Sequence, residues 1–158
     1  MINSSALYPP SFFHRRIGFR RGGDRVTPVS EGIEFVRQSL AEWHLGSPEV
    51  GGDEERAYEA LLVAAELLAN AEQHGGGARR LRLDLDPAGQ QLRIAVSDSD
   101  PHHRPRPVRP HRADRPHGHG LHILSRLSIW GTTDDGRAGK TVWAQVPVRT
   151  PHYGHPRR

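Results

Sequence analysis

The side chains in this sequence that are best suited to chemistry include an acid and an amide one helical turn apart. Glu66, Asn70 and His74 are spaced by four residues, so a helix places all three on one stripe of its surface. A carboxylate there can orient a water molecule or accept a proton, and an amide carbonyl oxygen can ligate Mg²⁺. Solvated helix faces often show the same spacing, so both interpretations stay open at this point.

Two further groups extend this chemistry. Asp98 follows an apolar run that ends at Val96. Its carboxylate can accept a hydrogen bond from a ligand amine such as adenine N6, or it can cap a turn. Gly118 and Gly120 precede a predicted helix that includes Leu121, where glycines let backbone N–H groups approach a phosphate or serve conformation alone. An acid-and-amide helix, a strand ending in Asp and a glycine-rich helix start together predict a nucleotide pocket.

Residues 99–117 are rich in arginine, proline and histidine and cannot build a regular element or fill a core. We interpret this segment as a lid whose arginines fold over a triphosphate, because the guanidinium fork matches phosphate oxygens. Its candidate arginines are Arg104, Arg106, Arg109, Arg112 and Arg115. A solvated loop stays open as an alternative, as do a nucleic-acid patch and a transition-metal site on His102, His103, His117, His119 and His122. The segment lacks interleaved aromatic residues, so we expect no direct nucleic-acid partner.

The helices that must position these groups are indicated by caps and glycines. Thr27 and Pro28 begin the first helix, as N-cap and first helical residue. Asp53 is the N-cap of a long helix over residues 54–74, which Gly75 ends. The predicted apolar face of this second helix consists of Tyr58, Leu61, Leu62, Ala65, Leu68 and Ala69.

The strands are indicated by alternation of apolar and polar residues. Residues 81–86 and 92–97 alternate on either side of a turn and predict a β-hairpin with one buried face. Further strands are predicted at 15–21, 128–131 and 140–148, with a turn at 132–139. This order predicts an α+β fold, a two-layer sandwich whose mainly antiparallel mixed sheet is covered on one face by helices.

Composition limits the class of protein. The 158 residues favour one domain, predicted at 17–148 between a loose arm at 1–16 and a frayed tail at 149–158. The absence of cysteine excludes disulfides and thiolate metal sites. No apolar run reaches the ~20 residues of a membrane span, and residues 1–10 do not resemble a secretory signal, so we expect a cytoplasmic protein. The net charge is +4, and Lys140 is the only lysine.

Over about residues 19–148 the sequence resembles the GHKL ATPases, and within them the small anti-sigma-factor-type serine/threonine protein kinases of bacteria. Residues 66–75, Glu-Leu-Leu-Ala-Asn-Ala-Glu-Gln-His-Gly, are similar to the N box of that family. Residues 118–124, Gly-His-Gly-Leu-His-Ile-Leu, are similar to its second glycine box. Residues 130–131 and 139–143 suit its closing strands.

This resemblance implies a Bergerat ATP-binding fold that takes ATP and Mg²⁺. It implies that Asn70 ligates Mg²⁺, that Glu66 is the general base and that Asp98 binds adenine. The other nucleotide contacts that it implies are those of Gly118, Gly120, Leu121 and Thr141.

The resemblance also implies an activity and partners. The protein would transfer the ATP γ-phosphoryl group to a Ser or Thr of an anti-sigma-factor antagonist, regulate a sigma factor and form a homodimer. The family's first glycine box, Asp-x-Gly-x-Gly, reads Asp98-Ser99-Asp100-Pro101-His102 here, so both glycines are missing. The alternative is therefore a non-catalytic protein that sequesters a sigma factor or another regulator with weak or no nucleotide binding. We do not expect a histidine-kinase catalytic fragment, because no phosphoacceptor helix pair precedes the domain in this sequence.

Overall fold

The computed structural model describes residues 14–20, 26–86, 88–102 and 119–149, with the backbone alone at residues 50 and 119–121. Its α-helices are α1 (Pro28–Glu42), α2 (Glu54–His74) and α3 (His119–Leu127). Its strands are β1 (His14–Gly18), β2 (Ala78–Leu85), β3 (Gln91–Asp98), β4 (Ile129–Asp134) and β5 (Lys140–Pro147). Short 3-10 turns lie at Pro48–Val50 and Gly136–Ala138. The strands form one sheet in the order β1-β2-β3-β5-β4, every neighbouring pair is antiparallel, and the predicted α+β sandwich is confirmed.

Side-chain caps begin α1 and α2 where the sequence predicts. The Thr27 hydroxyl accepts a hydrogen bond from the Ser30 backbone N–H at 3.2 Å, which satisfies one of the free donors of α1. Asp53 does the same for the Arg56 N–H at 3.1 Å in α2. At the other end, the N–H of Gly77 donates to the Ala71 carbonyl at 3.0 Å. The chain therefore leaves α2 in a tight glycine turn.

The apolar face predicted for α2 is wrong by about one residue. Only Leu68 of the predicted set is fully buried, and Tyr58 is 62% exposed. Leucine and alanine occur around most of this helix, so periodicity cannot select one face. Helix α2 packs on α1 and α3 as well as on β3 and β5 of the sheet, so its buried side is wide. The residues that α2 buries are Ala57, Ala60, Val63, Ala64, Leu67, Leu68 and Ala71.

Several boundaries differ from the predictions. Strand β1 begins at His14, inside the arm predicted at 1–16, because His14 pairs with Asp84 of β2 and its Nδ1 lies 2.6 Å from the Asp84 carboxylate. Strand β4 runs to Asp134, so the turn expected at 132–139 is shorter. Residues 1–13, 103–118 and 150–158, which include most of the predicted lid, lie outside the described residues. None of the helices in the described part of the chain combines the length and hydropathy that a membrane crossing requires.

The two faces of the sheet have different environments. On β5, Val142, Ala144 and Val146 are buried in the core formed with α1 and α2. On β3, Leu92, Ile94, Val96 and Asp98 are buried in the same phase. We call this side, which faces the helices, the inner face. The alternate residues, including Arg93, Ser97, Thr141 and Trp143, point away from the helices on what we call the outer face.

Candidate functional site

The Asp98 carboxylate lies at the end of the inner face, where β3 meets the end of α2. It is 2% exposed, and the next residue, Ser99, donates its N–H to the Gly75 carbonyl at 2.9 Å. Gly75 leaves the space that this carboxylate fills, because a Cβ at Gly75 would lie 2.5 Å from the Asp98 Cγ. Gly139 approaches from β5, and a Cβ there would collide with the Asp98 carbonyl oxygen.

Lys140 is the charged partner of Asp98. The two residues face each other in the β3–β5 register, and Lys140 Nζ lies 2.8 Å from Asp98 Oδ2. The Lys140 side chain is 5% exposed, so this ion pair is almost completely shielded from solvent. Nζ also donates to the Asp100 carbonyl at 3.1 Å. The carboxylate predicted to bind adenine is therefore already bonded within the protein.

The altered first glycine box forms two successive Asx turns. The Asp100 N–H donates to Asp98 Oδ1 at 3.0 Å, and the His102 N–H donates to Asp100 Oδ1 at 2.8 Å. Carboxylate side chains thus bend the chain where the family pattern has glycines. The turn reading of Asp98, which the sequence left open beside the ligand reading, is present in the structure. Both carboxylate oxygens of Asp98 accept a bond.

Sequence reasoning missed Lys140 as a site residue, although a signal was present. Val142, Ala144, Val146 and Val148 alternate with other residues along the predicted last strand, and Lys140 is in phase with them. Continuing that alternation places the lone lysine on the buried face, where a charge needs a partner of opposite sign. The partner is the strand-end acid Asp98, which the β3–β5 register places opposite Lys140.

Glu66 and Asn70 lie on α2 at the border between its buried and exposed sides. Both side chains are half-buried, whereas His74 one turn later is exposed. The Asn70 Nδ2 atom is buried and has no hydrogen-bond partner among the described residues. A 180° rotation of the amide exchanges its nitrogen and oxygen, so this position can offer a donor or an acceptor. Asn70 is therefore not part of a plain solvated stripe.

The helix start predicted after the second glycine box is present as α3. Gly120 lies in its first turn, and Leu121 follows. Gly118 lies outside the described residues. Helix α3 packs on α2, with Leu124 fully buried between them. The N-terminal end of α3, which carries a partial positive charge, thus lies in the same layer of helices as Glu66.

Thr141 is not brought to Asp98 by the structure. It lies on the outer face, where its hydroxyl is 2.8 Å from the Ser97 hydroxyl and donates to Asp135 Oδ2 at 2.6 Å. Asp98 and Lys140, the residues adjacent to this pair in the two strands, point to the inner face. The body of the sheet thus separates Thr141 from the Asp98 carboxylate.

The transition-metal alternative receives no support where the chain is described. Within that part there is no cluster of three or more His, Asp or Glu side chains that could hold a metal ion. His103 and His117 lie outside the described residues, and the side chain of His119 is not described.

The fold and the residues described above define a class of protein. An antiparallel sheet backed by helices, with a strand-end acid at Asp98 and an acid-and-amide helix beside it, is the architecture of GHKL ATP-binding domains. A family model described as histidine kinase-like ATPase domain matches residues 30–146, about three quarters of the chain. The chain belongs to this histidine kinase-like ATPase family of the GHKL class, and membership supports ATP binding.

Among the solved structures to which this chain is similar are two of a histidine kinase from Erythrobacter litoralis. The histidine kinase domain of the EL346 blue-light activated histidine kinase is 19% identical with a TM-score of 0.46, over 80% of this chain and 65% of that chain. A second structure of the EL346 kinase is 15% identical with a TM-score of 0.41, over 80% of this chain and 62% of that one. This chain thus spans less than two thirds of either. A search of curated proteins found no match.

The residues present fit the Mg²⁺ that GHKL ATPases usually bind with ATP. Hard cations prefer oxygen ligands, and the amide oxygen of Asn70 is such a ligand. The unused atom of the buried Asn70 amide is the donor Nδ2, and a 180° rotation of the amide would place the oxygen there for a bound ion. Glu66 lies one helical turn away on the same stripe.

Proposed function

We propose that this protein binds ATP with Mg²⁺ and transfers the γ-phosphoryl group to a serine or threonine of a partner protein, as a cytoplasmic anti-sigma-type regulator of transcription. The observation that carries the proposal is the buried Asn70 Nδ2, which has no partner in the described structure. Leaving a buried polar group unpaired costs about 1–3 kcal/mol, so such a site favours completion by a ligand. The histidine kinase-like ATPase family supports ATP as that ligand.

The proposed reaction is a direct phosphoryl transfer. The hydroxyl oxygen of the partner's Ser or Thr bonds to the γ-phosphorus, the bond from that phosphorus to the β–γ bridging oxygen breaks, and ADP leaves. Glu66 accepts the hydroxyl proton, and Asn70 would hold Mg²⁺, which supplies charge neutralisation at the phosphate oxygens when bound. The positive end of α3, around Gly118 and Gly120, receives the phosphates through backbone N–H groups.

The proposed phosphate acceptor is an anti-sigma-factor antagonist, and the regulated protein is a sigma factor. Both partners rest on the resemblance of residues 66–75 and 118–124 to the anti-sigma kinases. A homodimer belongs to the same proposal, and sedimentation of the purified protein measures it.

A second candidate function is a binding protein that sequesters a regulator with little nucleotide affinity. The observation that favours it is the Asp98–Lys140 pair, because Asp98 Oδ2 already accepts from Lys140 and Oδ1 from the Asp100 N–H. The internal donors occupy two of the about four acceptor positions that a carboxylate offers, so an adenine amine would have to share the group with them. Bonds that the empty protein already makes reduce what a ligand gains there.

Calorimetry with ATP and Mg²⁺ tests the proposal and separates it from the second candidate. The kinase proposal expects binding that Asn70→Ala weakens by more than about tenfold. Because Nδ2 has no hydrogen-bond partner in the described structure, we expect that the same variant does not lower the melting temperature.

Gln73→Ala, on the exposed side of α2, is the matched control and should bind ATP as the wild type does. Wild-type protein that fails to bind ATP in the presence of Mg²⁺ would contradict the kinase proposal. Binding without any Ser or Thr phosphate on an added antagonist would favour the second candidate.

A further inference from the structure

A broad polar groove lies on the outer face of the sheet, away from the helices that carry Glu66 and Asn70. It has a volume of about 1040 Å³ and is lined by residues of β2, β3 and β5 and of the loop after β4. We call it the arginine groove, and its defining residues are Arg79, Arg80, Arg82, Arg93, Ser97 and Thr141. The phosphoryl-transfer proposal does not use this face, and of the residues that the family resemblance assigns to the nucleotide only Thr141 lines the groove.

The groove is basic because of how β2 is built. The register between β2 and β3 shifts between Ala78 and Arg80, so Arg79 and Arg80 are both exposed beside the outer-facing Arg82. Arg93 of β3 adds a fourth guanidinium, against two lining acids, Asp84 and Asp135. The lining residues therefore carry an excess of positive charge.

Several guanidinium donors in the groove remain available. Arg80 has no ion-pair partner within the described residues, and Arg79 uses Nη1 for the Ala138 carbonyl at 2.7 Å. A guanidinium carries five N–H donors, so one such bond leaves most of them free. Arg82 is already paired within the protein, because its Nε lies 2.7 Å from Asp84 Oδ2.

Arg93 is held in place by stacking on the aromatic ring of Trp143. Its guanidinium lies 4.4 Å from the centre of the Trp143 ring, a cation–π distance. The indole lies so close over Gly131 that a Cβ there would be 2.8 Å from Trp143 Cζ2. Stacking restrains the guanidinium while leaving its N–H edge for a planar acceptor such as a carboxylate.

We propose that the arginine groove binds an acidic segment of a partner protein, whose Asp or Glu carboxylates pair with Arg80 and Arg93. A second copy of this chain is disfavoured, because face-to-face packing would oppose like charges. Single-stranded nucleic acid is disfavoured because its bases need free aromatic faces, and Arg93 covers a face of Trp143. The strands from β2 to β4 span about 14 Å, which admits one helix of about 10–12 Å.

The test is fluorescence anisotropy of the full chain with a labelled oligoglutamate peptide of about 20 residues, long enough to span the groove in an extended form. We expect binding that weakens with added salt, and that Arg80→Glu/Arg93→Glu reduces by about tenfold or more. Arg37→Glu/Arg56→Glu, at two exposed arginines of α1 and α2, changes the net charge equally and is the matched control, which should weaken binding clearly less than the groove variant does. Melting temperatures verify that both variants fold.

Four outcomes would overturn the proposal. Absence of peptide binding would do so, as would equal losses in the groove and control variants, which would show unspecific attraction to a basic protein. An oligothymidine of about 20 nucleotides is the competing probe. If it bound more tightly than the peptide and lost affinity in the same groove variant, the face would be a nucleic-acid surface. Unchanged peptide binding in the groove variant would assign the peptide to another basic part of the chain.

Discussion

Asp98 and Ser97 are neighbours in the chain, yet they belong to opposite faces of the sheet with different chemistry. On the inner face, Asp98 and Lys140 form a buried ion pair. On the outer face, one residue away in each strand, Ser97 and Thr141 share a hydroxyl contact beside a basic groove. Because side chains alternate along strands, one pair of strands can thus hold a buried ion pair on one face and an open polar surface on the other. The energetic consequences of disturbing the two faces should differ in the same way.

The difference between the faces is one of solvation. Removing one partner of a buried pair leaves an uncompensated charge, which costs about 3–5 kcal/mol. Water can replace a lost partner on the outer face, where polar bonds contribute about 0.5–1.5 kcal/mol. The comparison can be tested by variants on each face.

The largest effect is expected for Lys140→Met, which removes the ammonium and leaves the Asp98 carboxylate buried. We expect the free energy of unfolding, measured by urea titration, to fall by about 3–5 kcal/mol. The double variant Lys140→Met/Asp98→Leu removes both charges and should be more stable than Lys140→Met alone. A loss below about 1 kcal/mol in the single variant would mean that the pair is solvated and that the two faces do not differ.

A smaller effect is expected for Gly75→Ala on the inner face. The added Cβ would lie 2.5 Å from the Asp98 Cγ, so the carboxylate or the end of α2 must shift. We expect a loss of about 1–3 kcal/mol in the same titration. Gly18→Ala is the control, because the nearest atom to its Cβ is the Arg79 carbonyl oxygen at 3.9 Å. Equal effects at the two glycines would contradict the close packing around Asp98.

The smallest effect is expected for Thr141→Val on the outer face. It removes the hydroxyl contacts to Ser97 and Asp135 at a half-exposed position, and we expect a loss of about 0.5–1 kcal/mol. The mirror variant Val142→Thr places a hydroxyl on the buried face and should cost about 1–3 kcal/mol.

The Thr141→Val variant also tests whether Thr141 contacts the nucleotide, on which the resemblance and the structure differ. The resemblance implies that Thr141 lies near adenine, whereas its side chain lies on the outer face. We expect ATP affinity to be unchanged by this variant. A clear loss of affinity would instead show that Thr141 contacts the nucleotide, as the resemblance implies.

Much of the fold could be predicted from sequence because its signals are local. The caps at Thr27 and Asp53 and the glycine after His74 determine where α1 begins and where α2 begins and ends. Alternation in β3 and β5 separates the buried and exposed faces. The buried face of α2 was not predictable, since its leucines and alanines surround the helix and only packing on the sheet selects a face.

The candidate site was predictable where one element carries it and not where two elements meet. Glu66 and Asn70 lie on one helix, so their spacing alone indicates the stripe. The Asp98–Lys140 pair joins residues 42 positions apart, and its formation depends on the β3–β5 register. The outward placement of Thr141 depends on the same register, which a resemblance of motifs does not determine.

Lys140 is the only lysine in this sequence, and its side chain is 5% exposed. Reagents that acylate amines therefore find no ε-amino group on the surface of the described structure. Acetylation of residue 140 requires that the Asp98 contact first opens. The rate at which an amine-reactive probe modifies this residue consequently reports how often the Asp98–Lys140 contact opens, without any engineered label.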